Sequence, residues 1–158
     1  MTDRHDPSRE RVPVVVELAA PATYPLRRAV LRTGTPTADV QWADDELSGT
    51  QHLGVTLDGE LVAVSTWVPR PHPDHPAASG VQLRGMATAP EHRGHGYAGL
   101  LLEHGVRRCF AAGHDLVWAR ARDTALTFYE RHGFTVSGLG YIDLTTELPH
   151  HDIVRYAS

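Results

Sequence analysis

The stretch Leu83 to Ala112, LRGMATAPEHRGHGYAGLLLEHGVRRCFAA, constrains the fold more than any other part of the chain. It opens as an apolar run, turns at Ala89-Pro90, passes through a loop with two glycines and continues as a helix. Ala98, Leu101, Leu102, Gly105, Val106, Cys109 and Phe110 recur at i, i+3, i+4, i+7, i+8, i+11 and i+12, one apolar face with the α-helical period. Gly113 follows, where a helix end wants positive φ. The entering loop is Arg93-Gly94-His95-Gly96-Tyr97-Ala98. Glycines let a backbone approach a ligand closely, and the first turn of a helix carries free N–H groups and the positive end of its dipole. Together they make a cradle suited to a phosphate or pyrophosphate. Taken alone, the loop is equally compatible with a plain glycine turn. It is not a Walker loop, for no Gly-Lys-Ser/Thr follows. It lacks the third glycine of a dinucleotide fingerprint, and no βαβ unit ending in an acidic residue follows.

The remaining chain divides around this stretch. Met1 to Arg11 is polar and reads as a frayed tail, leaving 12–158 as one domain without repeats or a linker. Val12 to Leu18 is a β-branched run, Pro21 breaks it, and Ala22 to Arg32 reads as a helix with Arg27, Arg28 and Arg32 mostly outside. Gly34 to Thr50 is long for a connection, which suggests a short helix and the border of a site; the alternative is an ordinary surface loop with Trp42 as its anchor. Gln51–Leu57 and Glu60–Val68 are joined by Asp58-Gly59, a strong hairpin signal. Pro69 to Ser79 is too rich in proline for a central strand. Val81–Thr88 and Leu116–Ala121 are further strands. Asp123 can cap a helix from Thr124 to His132 that Gly133 ends. Thr135–Leu139 and Tyr141–Thr145 are shorter strands, and Ile153–Tyr156 can extend a last one. Hairpins early and crossover helices late imply an α/β fold: a mixed, mostly antiparallel sheet with helices on both faces.

Charge and cysteine content narrow the function classes. A net charge of −4 and the lack of a basic run argue against nucleic acid. No apolar run approaches a membrane span, and the first residues are too polar for a signal peptide. All fifteen basic residues are arginine. The single cysteine, Cys109, lies on the buried helix face, which fits a reducing cytoplasm and a packing role.

The loop also matches the Arg/Gln-x-x-Gly-x-Gly/Ala pattern of the GNAT superfamily of acyl-CoA-dependent N-acyltransferases, with Arg93, Gly96 and Ala98 in the defined positions. A second segment, Ala121 to Phe134, resembles the family's short helix that carries an Ala and a Tyr and closes with Gly-Phe: Ala125, Tyr129, Gly133 and Phe134 correspond. The resemblance covers roughly residues 12 to 157. It implies that Val81–Thr88 and Leu116–Ala121 are parallel neighbours that splay apart, with the pantetheine arm of acetyl-CoA between them. By the match, the cosubstrate would be held by Met86, Ala87 and Thr88 on the strand, by Arg93, Gly94, His95, Gly96, Tyr97 and Ala98 in the loop, and by Arg122 and Tyr129. The N–H of Met86 would face the thioester carbonyl and that of Thr88 the pantetheine amide. Tyr129 would be the general acid for the leaving thiolate. Without the resemblance, Tyr129 reads as an aromatic packed against the sheet. Arg84 fits either the cleft or a surface salt bridge.

Two departures stand out. Arg122 occupies the place where many members carry Asn, seven residues before the Tyr, and the central strand has no carboxylate to serve as base. His150, in Pro149-His150-His151, is the first candidate for base or acceptor contact. His72 and His75 read as surface loop residues, as do His92 and His95. A metal site at His72, Asp74 and His75 lacks a second spaced pair, so no metal is expected. The reading is an N-acetyltransferase that brings acetyl-CoA and an unidentified amine together without a membrane or nucleic acid. A homodimer is compatible with it, and an acyl-CoA-binding module without catalysis is the alternative.

Overall fold

The computed structural model describes residues 11–157. Seven strands form one sheet in the order β1-β2-β3-β4-β5-β7-β6: β1 Pro13–Leu18, β2 Gln51–Leu57, β3 Glu60–Pro69, β4 Gly80–Thr88, β5 Leu116–Arg122, β6 Thr135–Ile142 and β7 Pro149–Tyr156. Only β4 and β5 are parallel; every other neighbour is antiparallel. Helix α2, Tyr97–Ala111, is the crossover between that pair, as a parallel connection requires. It lays Leu101, Leu102, Val106 and Cys109 on the sheet, all buried. Each buried leucine contributes about 1.5–3 kcal/mol. Gly105 lets the helix backbone touch the Trp67 ring, since a Cβ there would stand 1.9 Å from Trp67 Cζ2.

Helix α1, Ala20–Leu26, covers the opposite face, continuing as a wider π-helical turn over Arg27–Leu31. On β3, Trp67 meets α2 while its neighbour Thr66 meets Arg27, the strand alternation that separates the two faces. The helix begins at Ala20 rather than Ala22, with Pro21 in its first turn, where no N–H is needed from that residue. Arg27 is not outside: it is fully buried. Its Nη1 donates to Asp45 Oδ2 (2.8 Å) and Val40 O (2.9 Å), and its Nη2 to Asp45 Oδ1 (2.9 Å) and Thr66 Oγ1 (2.7 Å). This pair ties α1 to the connection before β2, where Ala43–Glu46 forms a short 3₁₀ turn.

The C-terminal third also differs from expectation. The two short strands after Phe134 are one bulged strand, β6, and Asp143–Leu148 is a turn. The last strand begins at Pro149, so His150 and His151 are strand residues. A proline at the first position of a strand costs no ladder bond. Asp123 makes no cap bond; it accepts from His151 Nδ1 at 2.6 Å, and Asp123–Ala125 is a 3₁₀ turn leading into α3, Leu126–Arg131.

Candidate acyl-transfer cleft

The parallel pair β4–β5 is in register only from Gly80↔Leu116 to Leu83↔Ala119. Beyond that point the strands part. On β4 the cause is a bulge: Thr66 pairs with Arg84 and Val64 with Ala87, so Gly85 and Met86 both stand opposite Ser65. Gly85 has φ +62°, and a Cβ on it would meet the Trp42 ring at 3.0 Å and Arg27 Nε at 3.2 Å. Glycine is therefore needed for both the turn of the backbone and the seat of Trp42. β5 stays paired with β7 on its other side as far as Arg122↔His150.

A cavity of about 250 Å³ opens in the gap. Gly85 and Met86 line one wall, Ala121 and Arg122 another, and Tyr129 and His150 reach it from α3 and β7. Tyr129 is 7% exposed and packs edge-on against Phe128 and Phe134. Its hydroxyl has no protein partner among the described residues, and burial pushes its pKa up to about 12, so it keeps its proton at neutral pH. His150 Nδ1 lies 2.9 Å from the Leu148 carbonyl. A carbonyl only accepts, so Nδ1 carries a proton, and in the neutral ring Nε2 is the nitrogen with the lone pair. Nε2 has no protein partner among the described residues. The Tyr141 ring stacks on His150 at 6.1 Å, and its hydroxyl donates to Asp152 (2.6 Å). His72, not a surface residue but 1% exposed, braces the same carboxylate through Nε2 at 3.0 Å. Its Nδ1 accepts the Asp74 N–H (3.1 Å), so both ring nitrogens are used and no metal site forms with Asp74 and His75.

Asp143 also lines the cleft. Burial would raise its carboxyl, but N–H donors from Thr146 and Thr145 to Oδ1 (2.9 and 2.8 Å) outweigh that and hold it below the ordinary carboxylate range. Sequence reasoning missed Asp143 because the segment was read as strand rather than turn. The connection before β2 borders the site, as its length suggested, and its Trp42 lies in the cleft wall with Arg27 at 3.8 Å, Arg84 at 4.5 Å and Arg32 at 5.4 Å from its ring. Arg84 is in the cleft and is also ion-paired with Asp44, so both readings of it hold together.

β4 carries the chain from this cavity to a second one of about 730 Å³, entered at Thr88 and lined by Arg93, Gly94, Gly96, Tyr97 and Ala98. Gly94 and Gly96 have φ +82° and +80°, and nothing lies within 4 Å of a Cβ on either. The first backbone bond of α2 runs from Leu100 N–H to Gly96 O (3.0 Å). The N–H groups ahead of it are free for a ligand. Arg107 and Arg131 add positive charge to the rim. An open amide cradle with cationic neighbours fits the pyrophosphate and 3′-phosphate of coenzyme A. His95 turns away, its Nδ1 donating to the carbonyls of Arg93 (3.0 Å) and His92 (3.2 Å). Ala87 is buried with its strand partner Val64 and lines neither cavity.

Residues 17–134 match the model of the Acetyltransferase (GNAT) family. The chain belongs to that family. It is an N-acetyltransferase by descent, with acyl-CoA as the family's cosubstrate. The N-acetyltransferase YitI of Bacillus subtilis, itself uncharacterized, is 30% identical over 125 residues, covering 75% of this chain and 84% of that one. The fold resembles that of Escherichia coli ElaA, with a TM-score of 0.74 at 21% identity over 91% of this chain and 99% of the other. It also resembles an acyl-CoA N-acyltransferase from Pseudomonas aeruginosa, with a TM-score of 0.73 at 21% identity over 92% and 99%. Among the described residues no helix is long and apolar enough to cross a membrane.

Proposed function

We propose that the chain transfers the acetyl group of acetyl-CoA to a primary amine by direct attack, with both substrates bound at once. The observation that carries this reading is the buried Tyr129, whose hydroxyl is protonated and without a protein partner in the gap between β4 and β5. A tyrosine that only packed would have no need of a cavity at its hydroxyl. Acetyl-CoA supplies a thioester carbonyl already activated towards nitrogen. The loop from Arg93 to Ala98 holds its pyrophosphate, and the β4 backbone at Met86 and Thr88 aligns its arm. The N–H of Met86, at the bulge, donates to the carbonyl oxygen as negative charge develops there.

The acceptor nitrogen forms the new C–N bond and the C–S bond breaks. His150 Nε2 takes the proton that the attacking amine must lose, and Tyr129 gives one to the departing sulfur. The two proton transfers balance, and the tyrosinate is restored through solvent or the same histidine.

The test has two parts. Acetyl-CoA at one hundred times its dissociation constant should stabilise the protein by about 2.7 kcal/mol. A panel of amino acids, polyamines, aminoglycosides and peptide N-termini should then include at least one amine that drives release of free CoA thiol. Binding without release across the whole panel would favour a non-catalytic acyl-CoA-binding module. No melting shift and no calorimetric binding would overturn the reading altogether.

A further inference from the structure

The cleft carries more cationic charge than acyl transfer requires. Arg32, Arg84 and Arg122 all line it, and none of the three is fully exposed. Arg32 comes from the end of the π-helical turn, Arg84 from β4 just before the bulge, and Arg122 from the end of β5. Arg122 Nη2 donates to the Leu31 carbonyl at 2.6 Å, and Arg32 Nη1 approaches the same oxygen at 3.5 Å. The two guanidinium groups therefore stand side by side. Arg32 is further tethered through Nε to Asp39 O at 2.7 Å. Neither Arg32 nor Arg122 has a carboxylate within ion-pair distance among the described residues, whereas Arg27, Arg70, Arg84, Arg108 and Arg155 all do.

Half-burying two like charges together with no carboxylate in contact with either is costly. Burial, then the charge of Arg122, pushes the Arg32 guanidinium below its ordinary value, and burial does the same to Arg122; the nearby Asp143 only partly offsets both. Backbone carbonyls orient the pair but bring no countercharge. Arg122 Nε and Nη1 and Arg32 Nη2 have no protein partner among the described residues. These are the donors that a planar anion would accept from in the bidentate manner typical of arginine. Arg84 adds a third guanidinium, held against Trp42 and half-neutralised by Asp44, which Arg70 shares. The one carboxylate on the cavity wall, Asp143, has its Oδ1 committed to the Thr145–Thr146 turn and its Oδ2 without a protein partner.

We propose that Arg32, Arg84 and Arg122 form an anion subsite, and that the acceptor is a small amine carrying a carboxylate, of amino-acid type. This rests on the transferase reading above. The carboxylate is held by Arg32 and Arg122 with Arg84 behind them, and the ammonium is received by Asp143 Oδ2 and handed to His150. A cavity of about 250 Å³ has room for a molecule of that size, and its arginines disfavour a polycationic amine. The positive excess over Asp143 calls for an anionic group on the acceptor, and the free edges of Arg32 and Arg122 match a planar carboxylate. Arg122, on the wall of this cavity, then serves the acceptor and not, as the sequence resemblance implied, the cosubstrate.

The experiment reads binding and transfer separately. The CoA complex is titrated with each common L-amino acid and with its carboxamide, and with spermidine and O-phosphoethanolamine as outgroups. Acetyl-CoA turnover is then measured with the same panel. At least one amino acid should bind tenfold or more tightly than its carboxamide and be preferred in kcat/KM by a similar factor. Arg32→Gln and Arg122→Gln should each raise KM more than they lower kcat, and bring the carboxylate-to-carboxamide ratio close to one. A cooperative melt and an intact acetyl-CoA melting shift confirm that each variant is folded. Equal binding of carboxylates and carboxamides, no binding of any carboxylate, a preference for spermidine or O-phosphoethanolamine, or unchanged selectivity in both arginine variants would each overturn the proposal. Tight, arginine-dependent binding of a carboxylate without transfer to any amine would instead overturn the transferase reading and leave the anion subsite standing.

Discussion

Asp45→Ala removes the countercharge from the most deeply buried cation in the protein. Arg27 has no exposed surface, its Nε already lacks a partner, and two of its four hydrogen bonds go to this carboxylate. The variant keeps Val40 O and Thr66 Oγ1 as acceptors but strands a full positive charge between α1 and the sheet. Breaking a buried pair from one side costs about 3–5 kcal/mol. For a domain of this length roughly 2–4 °C is lost per kcal/mol, so the melting temperature should fall by roughly 6–20 °C at pH 7. Asp45→Asn keeps the shape and one acceptor and should lose less. Acid supplies an independent check. Burial alone would raise the Asp45 carboxyl, but the bidentate Arg27 contact and the Trp42 N–H outweigh it and hold it below the ordinary range. A depressed carboxyl stabilises the fold above its unfolded pKa of about 3.9, and the contribution fades as pH falls through the lower folded value. Calorimetric melts of parent and variant should therefore be far apart at pH 7 and converge towards pH 3. A melting temperature within about 2 °C of the parent at pH 7, or a gap that does not close in acid, would refute the reasoning.

Three further outcomes follow from single contacts. Gly96→Val should weaken acetyl-CoA binding measured by calorimetry far more than it shifts the melt, because the side chain enters the open cradle and opposes φ +80°; unchanged affinity in a folded variant would remove the loop from cosubstrate binding. Gly105→Ala should destabilise by about 1–3 kcal/mol in urea titrations, the usual cost of overpacking, since its Cβ collides with the buried Trp67 ring; a neutral change would mean that the ring yields freely. His150→Gln should lower kcat by roughly two to four orders of magnitude with acetyl-CoA affinity preserved, the pattern of a lost general base; near-normal turnover would hand that role to water or to Asp143.

The sheet, the hairpin at Asp58-Gly59 and the helix α2 were legible because each rests on local chemistry: alternation, a turn dipeptide, an apolar period. The open glycine loop ahead of α2 was legible for the same reason, since its glycines and the helix N–H groups are adjacent in the chain. Arg27 was not, although a signal existed. It shares the helical face of Ala20, Thr23 and Val30, and a lone arginine on that face has to find a buried partner. Its partner Asp45 lies in the connection before β2, where no periodicity marks it. The arginine cluster was illegible for a related reason: Arg32, Arg84 and Arg122 come from three elements and meet only because the Gly85–Met86 bulge turns β4 away from β5. His150 was singled out by its neighbours in sequence, but its placement beside the cleft depends on β7 pairing with both β5 and β6, a non-local arrangement.

The role of Tyr129 is the most direct measure of the whole account, because the same residue distinguishes a working acyltransferase from a protein that merely binds acyl-CoA. Tyr129→Phe removes one hydroxyl and retains the ring that packs against Phe128 and Phe134. With an acceptor from the amine panel, CoA thiol release should fall by roughly two to four orders of magnitude while acetyl-CoA affinity and melting temperature stay close to the parent values. Turnover within a factor of about two of the parent would contradict the assignment of Tyr129 as the proton donor and with it the chemical reading of the cleft.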